Sequence, residues 1–263
     1  MNIKPLLYQD CLLSFFDSLF VACCFAVLGL SLSFLALSCS KTSPDFLQSS
    51  KFCDFKKRKR RVLIIIAHPD DECMFFGPTI LHFTQREKAL VYILCLSSGN
   101  FYNKGCDRMT ELWNSCETLG VATENIIIYR CDDLPDNPSV MWPTLHTSRI
   151  INQHIHSYDI DTVISFDGNG VSGHLNHFAI FNALEHLIEE MELPSNCEVY
   201  SLESINMFRK YSSFFDILLS YTLSKCCLTA TAAMKAHRSQ YVWFRKMYML
   251  FSRYVIINTL KKS

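Results

Sequence analysis

Val62-Leu63-Ile64-Ile65-Ile66 runs directly into Ala67-His68-Pro69-Asp70-Asp71-Glu72. The first five residues are a continuous β-branched and aliphatic run. A run of that kind suits a strand covered on both faces, as in a parallel sheet. A helical pattern follows over 72–86. Outward from there the alternation continues. Strands are expected over 89–96, 125–129, 162–166 and 197–202. Helices are expected over 107–119 (stopped by Gly120), 143–158 and 175–191. Strands separated by helical patterns are β-α-β units. The expected fold is therefore α/β: a Rossmann-like, mostly parallel sheet with helices on both faces. Ligands in such folds bind beyond the carboxyl ends of the strands, which places chemistry just after Ile66, Leu96, Tyr129 and Phe166.

Chemistry-bearing residues stand at two of those positions. His68 and Asp71 follow the first strand. Asp167-Gly168-Asn169-Gly170-Val171-Ser172-Gly173-His174-Leu175-Asn176-His177 follows the fourth. An imidazole and a carboxylate three residues apart can face one point where a turn enters a helix, and His177 can supply a third ligand. Two histidines and one aspartate with an open position form a catalytic zinc pattern. Similar donor sets hold iron or manganese. Asp70 is then left as a carboxylate beside the cluster, suited to general-base work, and His174 as a proton donor or oxyanion stabiliser. Gly168, Gly170 and Gly173 permit close backbone approach or positive φ. Taken alone, His-Pro-Asp-Asp-Glu also reads as a helix N-terminus with acids complementing its dipole. The two clusters together favour a metal site. No G-x-G-x-x-G follows the first strand, which argues against a dinucleotide binder.

The rest of the chain frames this core. Lys plus Arg and Asp plus Glu each number 25 among 263 residues, so no net basic charge suggests a nucleic-acid partner. Hydrophobic residues at 49% exclude a disordered chain. Thirteen cysteines, with no C-x-x-C, give no zinc-finger frame and suggest buried thiols in a reducing compartment. Residues 1–17 form a short N-terminal segment. Ser18 to Ser40 carries no charge, and at about 1.5 Å per residue it is long enough to span a bilayer. A cleavable signal peptide, ending near Ala36-Leu37-Ser38, and a buried core helix are the alternatives. Residues 41–59 read as a basic linker, and residues 60–263 as the globular domain. The bases of Lys56 to Arg61 after the span place that domain in the cytosol by the positive-inside rule. Tyr241 to Leu260 mixes Trp243, Phe244, Tyr248, Phe251 and Tyr254 with Arg245, Lys246 and Arg253. Such a segment suits either a membrane-interface helix or a core-packing helix with snorkelling bases.

Ala67 to Glu72 with Phe75-Phe76 and Pro78, and Gly170 to His177, resemble the PIG-L/LmbE-like zinc de-N-acetylases. The likeness extends to Leu96 to Asn100, Arg108-x-x-Glu111, Leu119-Gly120, Asp133-Leu134-Pro135-Asp136 and His237-Arg238-Ser239-Gln240, and covers about residues 60–258. The resemblance implies hydrolysis of an N-acetyl group from a glucosamine glycoside. In the eukaryotic branch the substrate is GlcNAc-phosphatidylinositol, at the cytosolic face of the endoplasmic reticulum membrane, in the second step of GPI-anchor synthesis. It further implies His68, Asp71 and His177 as ligands of Zn2+, Asp70 as base, and His174 as electrophilic or acid partner. Arg108 and His237 are candidate substrate-binding residues. Bacterial members often carry Asp where Asn176 stands. Asn176 is neither anion nor base, and is expected to tune His177 by hydrogen bonding. The alternatives are a deacetylase of a soluble GlcNAc conjugate and an inactive membrane-tethered homologue.

Overall fold

The structure is a computed structural model that describes residues 58–211 and 226–263. The apolar segment 18–40, with the N-terminal segment and most of the linker, lies outside the described residues. Among the described residues no helix is long and apolar enough to cross a membrane.

Six strands form one sheet: β1 (Arg61–Ile66), β2 (Leu90–Cys95), β3 (Ile126–Ile128), β4 (Thr162–Phe166), β5 (Glu198–Leu202) and β6 (Leu260–Lys262). Their order is β3-β2-β1-β4-β5-β6. The first five are mutually parallel, and β6 closes the edge antiparallel to β5. Val62 to Ile66 are fully buried, as expected of a central strand with helices on both faces. The chain runs outward from β1 to β3, then returns to β4 on the other side of β1. The carboxyl ends of β1 and β4 therefore flank the point where the strand order reverses, which is where an open α/β sheet leaves a crevice.

The helical stretch expected over 72–86 is broken into three pieces. Helix α1 (Asp71–Met74) ends at Phe75, α2 (Gly77–Leu81) restarts with Pro78 in its first turn, and a π-turn spans His82–Arg86. Proline lacks the N–H that a continuing helix needs but fits a first turn. The longer helices match the periodicity: α3 (Gly105–Thr118), α4 (Thr144–Ser157) and, after a single helical turn at Gly170–Gly173, α5 (Leu175–Glu189). Beyond β5 the described residues hold three further helices: α6 (Met207–Tyr211), α7 (Cys226–Ala236) and α8 (Trp243–Phe251). Ala230 of α7 sits so close to Gly77 that a Cβ there would come within 2.9 Å of the alanine Cβ. Cys73, Cys95 and Cys116 are free thiols in the core.

Candidate metal centre and active-site cleft

The end of β1 turns at Pro69 and Asp70, and Asp70 adopts a left-handed conformation at φ 113°. Few non-glycine residues hold such a φ without being forced to. The turn swings Asp71 back over the strand end. Its Oδ2 accepts the backbone N–H groups of Ala67 at 3.1 Å and His68 at 2.9 Å. The same oxygen lies 3.3 Å from His177 Nε2 and 3.7 Å from His68 Nδ1. His68, Asp71 and His177 each offer one donor atom within 4.8 Å of the others. All three are buried.

Hydrogen bonds at the far side of each ring define its tautomer. His177 Nδ1 donates to the Gly170 carbonyl oxygen at 2.9 Å, with Ser172 Oγ at 3.1 Å. Its lone pair therefore sits on Nε2, which is buried and has no hydrogen-bond partner. His68 Nε2 faces two acceptors, Asn176 Oδ1 at 3.0 Å and Asp136 Oδ1 at 3.2 Å. That leaves the His68 lone pair on Nδ1, towards Asp71. Two imidazole lone pairs and a carboxylate oxygen converge, each ring held from behind by an acceptor. This is the arrangement that orients histidines for a metal, and a buried nitrogen with no partner is otherwise costly. The donor set fits a divalent cation such as zinc.

These groups interact strongly with one another, and a bound cation would take the place of the proton that Asp71 and His68 share. Burial alone would raise the Asp71 carboxyl, but the imidazoles of His177 and His68 hold it well below its ordinary value. Burial pulls the His68 imidazole down, and its bond to Asp71, with the charges of Asp71 and Asp136, more than reverses this. Burial, with the charges of His68 and His177, lowers the His174 imidazole to about 4. His174 Nδ1 caps α5 by accepting the Asn176 N–H at 3.3 Å. The proton of the neutral His174 ring is therefore on Nε2.

An open cleft of about 300 Å³ lies over these residues, lined also by Asp70, Arg108, Asp136 and Arg245. The Asp70 carboxylate is gripped by the Arg245 guanidinium and lies 3.4 Å from Arg108 Nη2. Arg108 is itself tied to Pro69 O at 2.7 Å, Gly99 O at 2.9 Å and Asp136 Oδ2 at 3.2 Å. Phe101 and Tyr102 stand exposed at the cleft mouth.

The matches to known proteins cover the stretch of chain that carries these residues. A family profile described as PIG-L: GlcNAc-PI de-N-acetylase matches residues 63–188. A Bos taurus protein named N-acetylglucosaminyl-phosphatidylinositol de-N-acetylase is 43% identical over 209 residues, covering 76% of this chain and 82% of its own. The chain belongs to the PIG-L family. A Dictyostelium discoideum member, named as a probable enzyme of the same activity, is 35% identical and covers 77% of this chain and 93% of its own. Among solved structures, the N,N'-diacetylchitobiose deacetylase of Pyrococcus horikoshii superposes with a TM-score of 0.53 at 16% identity, covering 79% of this chain and 85% of its own. A teicoplanin-pathway deacetylase mutant gives 0.54 at 13% identity, covering 77% and 98%. At such identities the likeness speaks for the shared fold.

Within this PIG-L domain the residues named from sequence fall in two places. His68, Asp70, Asp71, Arg108, His174 and His177 all line the cleft. His237 does not. It is fully buried behind α1, with Nε2 2.7 Å from Glu72 Oε1. Glu72 also accepts from Ser115 Oγ at 2.5 Å and from the Asp70 N–H at 2.9 Å. Burial would raise Glu72, yet the His237 imidazole brings it below its ordinary value, and His237 is raised in return. Arg108 is only 6% exposed, its donors directed largely into the protein. Asn176 was expected to act on His177. It bonds His68 instead, while its Nδ2 donates to the Val140 carbonyl at 2.8 Å. The rotation of about 100° between successive helical residues points the side chains of Asn176 and His177 in different directions, so the amide reaches across to the first loop. Gly170 and Gly173 take positive φ, and Gly168 does not. Sequence reasoning missed Arg245, whose cue was only a base in an aromatic helix. Asp136 was visible as the end of Asp133-Leu134-Pro135-Asp136 without a role attached.

Proposed function

We infer that this chain hydrolyses the N-acetyl group of N-acetylglucosaminyl-phosphatidylinositol, giving glucosaminyl-phosphatidylinositol and acetate, the second step of GPI-anchor synthesis. The observation that carries the reading is the convergence of His68, Asp71 and the unpartnered Nε2 of His177 in one cleft with the arginine-held carboxylate of Asp70. Family membership supplies the substrate.

His68 Nδ1, Asp71 Oδ2 and His177 Nε2 would hold Zn2+. A cation bound there supplies polarisation of the acetamide carbonyl and acidification of water. Asp70 takes the proton of the attacking water. Arg108 and Arg245 fix its carboxylate in the rotamer that reaches the cleft, so orientation is built in before substrate arrives. His174 presents Nε2–H to the developing oxyanion as a neutral donor. A neutral imidazole gives a hydrogen bond but has no ready proton to lose. The proton that the departing glucosamine nitrogen needs therefore comes from Asp70, which has just collected one from water. This chain's Arg108 and His237 act as positioning residues: Arg108 on Asp70 and Asp136, His237 on Glu72 and through it on the Asp70 N–H.

A lipid-borne substrate suits an anchored enzyme. Residues 18–40 supply a single span, with the domain of residues 60–263 facing the cytosol at the endoplasmic reticulum membrane. The test compares wild type, Asp70→Ala and His177→Ala for bound metal and acetate release. Asp70→Ala is expected to keep its metal and lose turnover, and His177→Ala to lose most of both. Full metal retention by His177→Ala removes it from the ligand set. Faster acetate release from GlcNAc-inositol than from GlcNAc-phosphatidylinositol would favour a soluble substrate instead.

A further inference from the structure

The outer face of α8 is unusual for a helix in a folded domain. Trp243, Phe244, Met247, Leu250 and Phe251 are all exposed, by 43–75%. At 100° per residue these five side chains fall within one continuous arc of about 120°. Lys246 flanks the arc, beside Leu250. The opposite side is committed to the protein: Tyr248 and Met249 are buried, and Arg245 reaches into the cleft to grip Asp70. One helix thus walls the active-site cleft with its inner face and bares a row of large apolar side chains on its outer face. Among the described residues nothing covers that row. Exposed apolar patches of this extent mark an interaction surface.

We propose that α8 lies flat on the membrane surface and seats the cleft one helix thickness above the acyl boundary. The occupant is a lipid bilayer rather than a protein groove, for three reasons. The apolar arc is rich in Trp, Phe, Met and Leu with a flanking Lys, the composition of a helix buried several ångströms into the headgroup region. Lys246 stands at the edge of the arc, where its stem can lie along apolar surface while its ammonium meets phosphate. The third reason rests on the proposed function. The bond to be cut lies on the outer sugar, separated from the glycerol by phosphate and inositol. A helix is about 10–12 Å across with its side chains, so the cleft behind α8 stands off the bilayer by a distance of the kind that headgroup spans. Arg245 joins the two faces physically: the turn that inserts Trp243 and Met247 also fixes the rotamer of the catalytic carboxylate.

The experiment uses the full chain reconstituted into vesicles of phosphatidylcholine and phosphatidylinositol. Bromines on the acyl chains quench indole fluorescence only at close range. Wild type is compared with Trp243→Phe, which isolates the Trp243 signal from Trp113 and Trp142. Quenching of that signal is expected. Because it reports on Trp243 itself and not on retention by the vesicle, an N-terminal anchor does not mask it. In parallel, acetate release by Trp243→Ser/Leu250→Ser is measured on bilayer-embedded GlcNAc-phosphatidylinositol and on its water-soluble deacylated form. The double variant should lose about tenfold or more on the bilayer substrate, the scale of one apolar side chain's transfer free energy, and stay within about twofold of wild type on the soluble one. An unquenched Trp243, buried instead by another part of this chain or a second copy, overturns the docking. So does an unchanged ratio between the two substrates. If wild type cleaves neither substrate, the proposed function fails, while the quenching still decides the docking.

Discussion

The Glu72–His237 pair is the most exposed to test of the structural claims, because both groups are fully buried and their charges are opposite. Glu72→Gln keeps the size of the side chain and removes the charge. Losing one partner of a buried ion pair costs about 3–5 kcal/mol, since the other is left unpaired in a dry site. For a domain of this size about 2–4 °C of melting temperature accompanies each kcal/mol, so a fall of roughly 6–20 °C is expected. The pH dependence gives the sharper signature. Glu72 is lowered from 4.5, so its contribution is complete above that value and is lost as pH falls through its depressed folded value. His237 is raised from 6.5, so its contribution is complete below that value and is lost as pH rises through its elevated folded value. The gap between wild type and Glu72→Gln should therefore be widest between 4.5 and 6.5. It should narrow on both sides. Thermal melting of the two proteins across pH measures this directly. A gap of under about 2 °C, or one that is flat from about pH 5 to pH 9, refutes the assignment of a charged pair.

Two further outcomes concern the cleft. Asn176→Ala removes one of the two acceptors behind His68 and leaves Asp136, so metal binding should weaken towards the lower end of the roughly 10–100-fold that such supporting hydrogen bonds are worth; competition with a chelator reads it, and Asn176→Asp should restore much of the affinity. Gly99 sits at φ +71°, and a Cβ there would fall 2.6 Å from the Arg108 guanidinium carbon. Gly99→Ala should therefore displace Arg108 from Asp70, lowering kcat by more than it changes KM and costing about 1–3 kcal/mol of stability, measurable by denaturant unfolding together with steady-state kinetics.

The alternation of apolar runs and helical periods was enough to place five strands in a parallel sheet, because fully buried strands leave a continuous aliphatic signature. It also pointed to the two strand-end loops that carry His68, Asp71 and His177, which the structure brings together. Strand β6 escaped, because Leu260–Lys262 is three residues with two exposed lysines and is a strand only by pairing with β5. The break of the first helix was written in Gly77-Pro78 but was read through, the periodicity on either side being in phase.

The order of residues alone was enough to name the chemical groups and the strand ends on which they stand. His68, Asp70, Asp71, His174 and His177 are legible because their spacing is local. How those groups are supported emerges from the packing of separate segments. Asp136, Glu72, His237, Asn176 and Arg245 act on neighbours that are distant in the chain, 175 residues in the case of Arg245 and Asp70. The reason is physical. A hydrogen bond that holds a ligand from behind depends on where two separate segments pack, and packing distance leaves no trace in the order of residues along either one.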